Sequence, residues 1–186
     1  MRLSACLLVF LCLNAAAAGP EAGQMTMHRQ GAGEPGKSGG WILAASTEGR
    51  FSVQLPIKFN DFTVYEVPEA PAVRTYTVGA RSSEQIAFVA TRIVYRQGAT
   101  AAKRFFARFE EGRGQAAAPL SATPVQFGAL RAVDLLFRGP TAVNYQRVVL
   151  LDSDLIMLSV EAPAQHDAAA KELAARFFDS LQVDAK

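Results

Sequence analysis

Hydrophobic and polar residues alternate over several stretches of the chain, and this period of two predicts β-strands. The clearest case is 50–55, where Phe51, Val53 and Leu55 fall on one face between polar neighbours. Residues 85–96 form a longer apolar run rich in β-branched and aromatic side chains, which also favours a strand. The predicted strands are 41–44, 50–55, 73–78, 85–96, 129–138, 143–151 and 155–160.

Two stretches follow the helical period instead, with apolar side chains three and four positions apart and charged residues between them. The predicted helices are 100–111 and 167–180. Each contains two adjacent phenylalanines, and neighbouring positions of a helix do not face the same way. We therefore expect one ring of Phe105 and Phe106, and one ring of Phe177 and Phe178, at the margin of the core.

Short turns join most consecutive predicted strands, so those strands pair antiparallel. Two amphipathic helices can cover such a sheet, and the pattern predicts an α+β fold, an antiparallel β-sheet covered by helices. Residues 41–186 have the length of a single domain. Residues 19–40 are rich in glycine and polar residues without apolar periodicity, so we expect a disordered tail there. Prolines interrupt 58–72, which predicts an irregular segment.

The first 18 residues have the pattern of a secretory signal peptide. Met1 and Arg2 form a basic start, residues 3–13 are nearly all apolar, and small residues follow up to Ala18. We expect cleavage near Ala18, a periplasmic or secreted protein, and a mature chain without cysteine. The alternative is an uncleaved anchor, which the short apolar run disfavours because a spanning helix needs about 20 residues.

Several of these elements resemble those of PsbP-like proteins. The segments that carry the resemblance are Gly49 to Pro56, Tyr145 to Leu150, 155–160 and Arg176 to Leu181. The family is named for an extrinsic subunit of the photosynthetic oxygen-evolving complex and includes exported bacterial proteins. The resemblance implies an α/β/α sandwich and a non-enzymatic accessory role. It supplies no catalytic residue to carry over.

Composition and charge exclude several functions. The formal net charge is only +2, which disfavours nucleic-acid binding. His166 is the single histidine of the predicted domain, in a polar stretch typical of a solvated helix start, so we expect no enzyme and no cofactor.

Gly31 to Ser38 fits the phosphate-loop pattern GxxxxGK[ST]. The glycines that follow do not start a helix, so we expect no nucleotide site. Asp152 and Asp154 are typical of a turn.

The remaining candidates concern binding. We expect a protein partner, with at most peripheral membrane contact, because Arg104 and Arg108 make one face of the first helix basic. Phe59 and Phe62 are further candidates for partner contacts. The alternative is a small-molecule or lipid-binding module, with a pocket between sheet and helix and 58–72 as its lid.

A weaker candidate is a metal site in the predicted tail. Met25, Met27 and His28 are the only soft-ligand cluster of the chain, and two thioethers with an imidazole suit Cu(I).

Overall fold

The computed structural model describes residues 23–33, 40–66, 70–113 and 118–184. The predicted signal peptide, 1–18, lies outside these residues. Within them, eight strands form one antiparallel sheet in the order β1-β4-β5-β6-β10-β9-β8-β7. Their bounds are β1 Met25–Ala32, β4 Phe59–Tyr65, β5 Ala72–Arg81, β6 Ala87–Tyr95, β7 Ser121–Phe127, β8 Leu130–Arg138, β9 Ala142–Leu150 and β10 Asp154–Pro163.

Three further strands form a small second sheet in the order β11-β3-β2. They are β2 Ile42–Ala45, β3 Phe51–Leu55 and β11 Gln182–Val183. The two helices are α1 Gly98–Glu110 and α2 Asp167–Asp179, the latter preceded by the short 3-10 turn Ala164–His166. Both helices confirm the helical periods found in the sequence.

The large sheet is apolar on both faces, and different elements cover each face. Alternate residues of a strand point to opposite sides, so Val148 packs under α1 while Val149 packs on the α2 side. On the α1 side, Ala102, Phe106 and Phe109 are buried. On the other side, α2 and the small sheet share one larger core.

The predicted α+β fold, a PsbP-like α/β/α sandwich with the sheet covered by helices, is wrong. The described chain is mostly β, with eleven strands and two helices of 13 residues each. Such a helix is about 20 Å long, whereas eight strands at about 4.8 Å spacing span more than 30 Å. The helices therefore cover only parts of the large sheet, and a second sheet shares one face with α2.

Four of the eleven strands were not predicted from the sequence: β1, β4, β7 and the two-residue strand β11 at Gln182–Val183. Met25–Ala32 is strand β1, so the prediction of a disordered tail is wrong there. Phe59–Tyr65 is strand β4, so the predicted irregular segment, and its use as a lid, is wrong over those residues. Ser121–Phe127, which had no predicted element, is strand β7. Both β1 and β7 are edge strands with few buried residues, which leaves little apolar alternation to detect.

Strand β4 carries an aspartate on its buried side. Asp61 is fully buried and accepts hydrogen bonds from Arg29 Nε and Nη2, at 3.2 and 2.9 Å. It also accepts from the backbone N–H and the hydroxyl of Thr47, at 2.9 and 2.5 Å. Because Thr47 lies in the turn between β2 and β3, this one carboxylate ties the small sheet to β1 and β4.

We predict that Asp61→Asn lowers the free energy of unfolding by about 2 kcal/mol or more. The amide would place an NH₂ group against donors and leave Arg29 without its charge partner. Urea denaturation followed by circular dichroism measures the change. Glu84→Gln, on an exposed carboxylate of the turn before β6, is the control and should cost less than about 0.5 kcal/mol. Equal stability of the two variants would contradict the assigned role.

Candidate binding surface on helix α1

The outward side of α1 carries three cations without carboxylate partners. Lys103, Arg104 and Arg108 are exposed, and within the described part of the chain none of them makes an ion pair. The two acids that follow are neutralised, because Glu110 pairs with Arg131 and Glu111 pairs with Arg113. The middle and the last turn of α1 thus present a local positive field on a protein of nearly balanced charge.

An aromatic ring holds two of these cations in place. The guanidinium carbons of Arg104 and Arg108 lie 5.4 and 5.8 Å from the centre of the Phe105 ring. These separations are within the range of a cation–π attraction. Phe105 in turn stacks on Tyr95 of β6, with ring centres 4.9 Å apart and planes 12° apart. We call Lys103, Arg104, Phe105 and Arg108 the α1 patch.

The two phenylalanine pairs behave differently. Phe106 is buried and Phe105 is half-buried beside it, so the expectation for this pair is confirmed. Phe177 and Phe178 are both buried, so the expectation is wrong for α2. Helix α2 packs against the large sheet and also against β3, which gives both of its rings a covered position.

Burial of Tyr95 under α1 perturbs its hydroxyl. Removal from water disfavours the phenolate and raises the pKa of Tyr95 to about 12. Tyr95 lies ten positions before Phe105, a separation at which no sequence pattern indicates contact. The stacked partner of the α1 patch was therefore missed by the sequence analysis.

The other predicted partner residues lie elsewhere. Phe59 is 2% exposed in the core shared by α2 and the small sheet, so its ring offers no surface to a partner. Phe62 is half-buried on the α1 side of the sheet, opposite Met27 and Thr77 on the neighbouring strands. The structure does not bring Phe59 or Phe62 together with Arg104 and Arg108.

The predicted metal ligands are divided between the two faces of β1. Met25 and Met27 are 44% and 37% exposed on the α1 side. His28 points to the opposite side, where its Nε2 lies 2.9 Å from the hydroxyl of Thr63. That hydroxyl donates to Glu48 at 3.0 Å, so it accepts from the histidine. Among the described residues, no group of three or more His, Cys, Asp or Glu is placed to hold a metal.

The other motifs noted in the sequence lie at the ends of strands and helices. The phosphate-loop pattern begins at the end of β1, its residues 34–38 lie outside the described part, and the next element is strand β2. Asp154 is buried and accepts a hydrogen bond from Arg92 Nε at 2.9 Å, whereas Asp152 is exposed in the turn between β9 and β10. His166 precedes α2 and is half-buried.

One cavity of the described residues lies away from Phe62. In the described residues a cavity of about 310 Å³ lies on the α2 side of the sheet, at the turn between β9 and β10. Four charged residues line it. Arg50, Arg92 and Asp184 come from distant parts of the sequence and were not singled out there, whereas Asp152 was interpreted as part of a turn. Neither α1 nor α2 is long and apolar enough to cross a membrane.

Comparisons with known proteins identify no family. No family profile matches the chain, and no curated protein matches it at a significant level. The resemblance to PsbP-like proteins is not confirmed.

A weak match is found among the solved structures. The crystal structure of LpqN, involved in cell envelope biogenesis of Mycobacterium tuberculosis, matches 90% of this chain and 100% of its own, at 10% identity and a TM-score of 0.40. A likeness of that strength carries no conclusion about the fold, compartment or function of this chain.

The raised pKa of Tyr95 predicts a loss of stability in alkali. The folded state keeps the phenol protonated at pH values where the unfolded chain, with a pKa near 10, has lost the proton. Between pH 9 and pH 12 the wild type should therefore lose up to about 2.5 kcal/mol more stability than Tyr95→Phe. Urea denaturation across this pH range measures the difference. Parallel curves for the two proteins would contradict burial of this hydroxyl under α1.

Proposed function

We propose that this chain is an exported accessory protein that binds an acidic protein partner through the α1 patch, without catalysing a reaction. The observation that carries the proposal is the set of three cations on α1 that have no carboxylate partner. The buried and half-buried carboxylates Asp61, Asp154 and Asp167 are each paired with an arginine. An unpaired, exposed cluster therefore stands out as a surface for a partner's acids.

The aromatic support favours binding by arginine in particular. A guanidinium held over Phe105 has already lost part of its rotational freedom, so less entropy is lost when a carboxylate binds. Arginine also forms two parallel hydrogen bonds to a carboxylate, which gives a defined geometry.

Export is the second part of the proposal. It is supported by the basic start, the short apolar run and the small residues up to Ala18. A periplasmic or extracellular location places the α1 patch among envelope or secreted proteins. The proposal includes no nucleotide, nucleic acid, metal or cofactor.

Charge reversal tests the proposal. The chain, tagged at its carboxyl end, is crosslinked in the periplasm of its source cells, and its companions are quantified by mass spectrometry. We expect one acidic partner in near-equal amount with the wild type. Arg104→Glu with Arg108→Glu should reduce its recovery about tenfold or more, because two attractive charge pairs become repulsive.

The matched control changes the net charge equally at a different place. Lys58→Glu with Lys171→Glu reverses two exposed cations, and Lys171 lies on α2, on the other side of the sheet. This variant should recover the partner as well as the wild type does. Equal loss in both double variants would indicate a general effect of charge. Unchanged recovery with the α1 variant would contradict the proposal.

A further inference from the structure

The cavity on the α2 side of the sheet combines an apolar wall with charged groups. Leu130, Leu151 and Val183 line one part of it and pack against the main core. Arg50, Asp152 and Asp184 supply the charged part. The cavity measures about 310 Å³, which is at the small end of the range for ligand sites in proteins.

The charge of Arg92, which also lines the cavity, is neutralised by Asp154. Arg92 donates from Nε and Nη2 to Asp154, at 2.9 and 2.5 Å, and from Nη1 to the carbonyl of Gly49 at 3.0 Å. These contacts occupy the guanidinium on both sides. The charges left for a ligand are therefore those of Arg50, Asp152 and Asp184.

These three side chains are exposed and have no hydrogen bond or ion pair to any other described residue. Their backbones, in contrast, are fixed. The N–H of Asp184 donates to the carbonyl of Arg50 at 3.2 Å. The turn that holds Asp152 is closed by a bond of 3.0 Å from the N–H of Leu151 to the carbonyl of Asp154. One cation and two anions are thus held around one opening.

The backbone of Arg50 is strained. Its φ is +53°, in the left-handed region where glycine is favoured, and among the described non-glycine residues only Gln85 shares this feature, at +64°. A non-glycine residue in this conformation costs free energy, and such residues cluster at functional sites. A guanidinium at position 50 therefore stands where glycine would fit the backbone better.

We propose that this cavity binds a small zwitterion, an amino acid with an apolar side chain. The carboxylate of the ligand would pair with Arg50, and its ammonium with Asp152 and Asp184. The apolar side chain would lie against Leu130, Leu151 and Val183. The site is on the opposite side of the sheet from the α1 patch. This proposal therefore does not depend on the proposed function.

Titration calorimetry of the purified full chain with L-leucine tests the ligand class. Three comparison ligands each lack one feature: isopentylamine has no carboxylate, 4-methylpentanoate has no ammonium, and glycine has no apolar side chain. We expect leucine to bind and each comparison ligand to bind about tenfold or more weakly, as for loss of one charge-assisted or apolar contact. Absence of leucine binding up to about 10 mM, or equal binding of any comparison ligand, would overturn the proposal.

The strained position supplies a variant that separates binding from folding. Arg50→Gly should weaken leucine binding about tenfold or more, while its melting temperature stays equal or rises because the left-handed backbone suits glycine. Gln85→Gly, with the same backbone change away from the cavity, should bind leucine like the wild type. Asp152→Asn with Asp184→Asn should also weaken binding. Wild-type affinity in Arg50→Gly or in the double variant would overturn the proposal.

Discussion

The structure depends on a large antiparallel sheet whose two faces are both apolar. Strand β10 lies near its middle and buries residues on both sides, among them Leu155 under α1 and Ile156 on the α2 side. A sheet of this kind must be covered twice, because each exposed apolar face would lose the free energy of burial. Helix α1 meets this requirement on one side, and α2 with the small sheet meets it on the other. The α1 patch lies on one of these covering layers, and the cavity lies on the opposite side of the sheet.

Polar groups fix the covering layers in position. Asp61 connects the β2–β3 turn to the large sheet, and Arg92 with Asp154 connects β6 to β10 beneath the same turn through Gly49. Each buried charge has an opposite charge and further hydrogen bonds, which is the condition under which buried ions are tolerated. These buried charges are already paired within the fold. The exposed charges of the α1 patch and of the cavity have no such partner among the described residues, so they remain available to a ligand or a partner protein.

Sequence periodicity predicted the helices and most of the central strands, because their buried positions are apolar and regularly spaced. It failed at β4, where the buried side reads Phe59, Asp61, Thr63, and two polar residues conceal the alternation. It failed at β1 and β7 because edge strands bury little. The basic residues Arg104 and Arg108 were found from their helical spacing. Tyr95 beneath them, and the meeting of Arg50 with Asp184 through the pairing of β3 with β11, depend on tertiary contacts that no local pattern contains.

The central claim is that a partner docks on the outward side of α1. A photo-crosslinking amino acid at Ala107, exposed between Arg104 and Arg108, tests it most directly. The same probe at Ala175, exposed on α2, provides the comparison. The account predicts a single crosslinked product from position 107 in the periplasm of the source cells, attached to an acidic segment of the partner, and none from position 175. Crosslinking to the same partner from position 175 alone would contradict it.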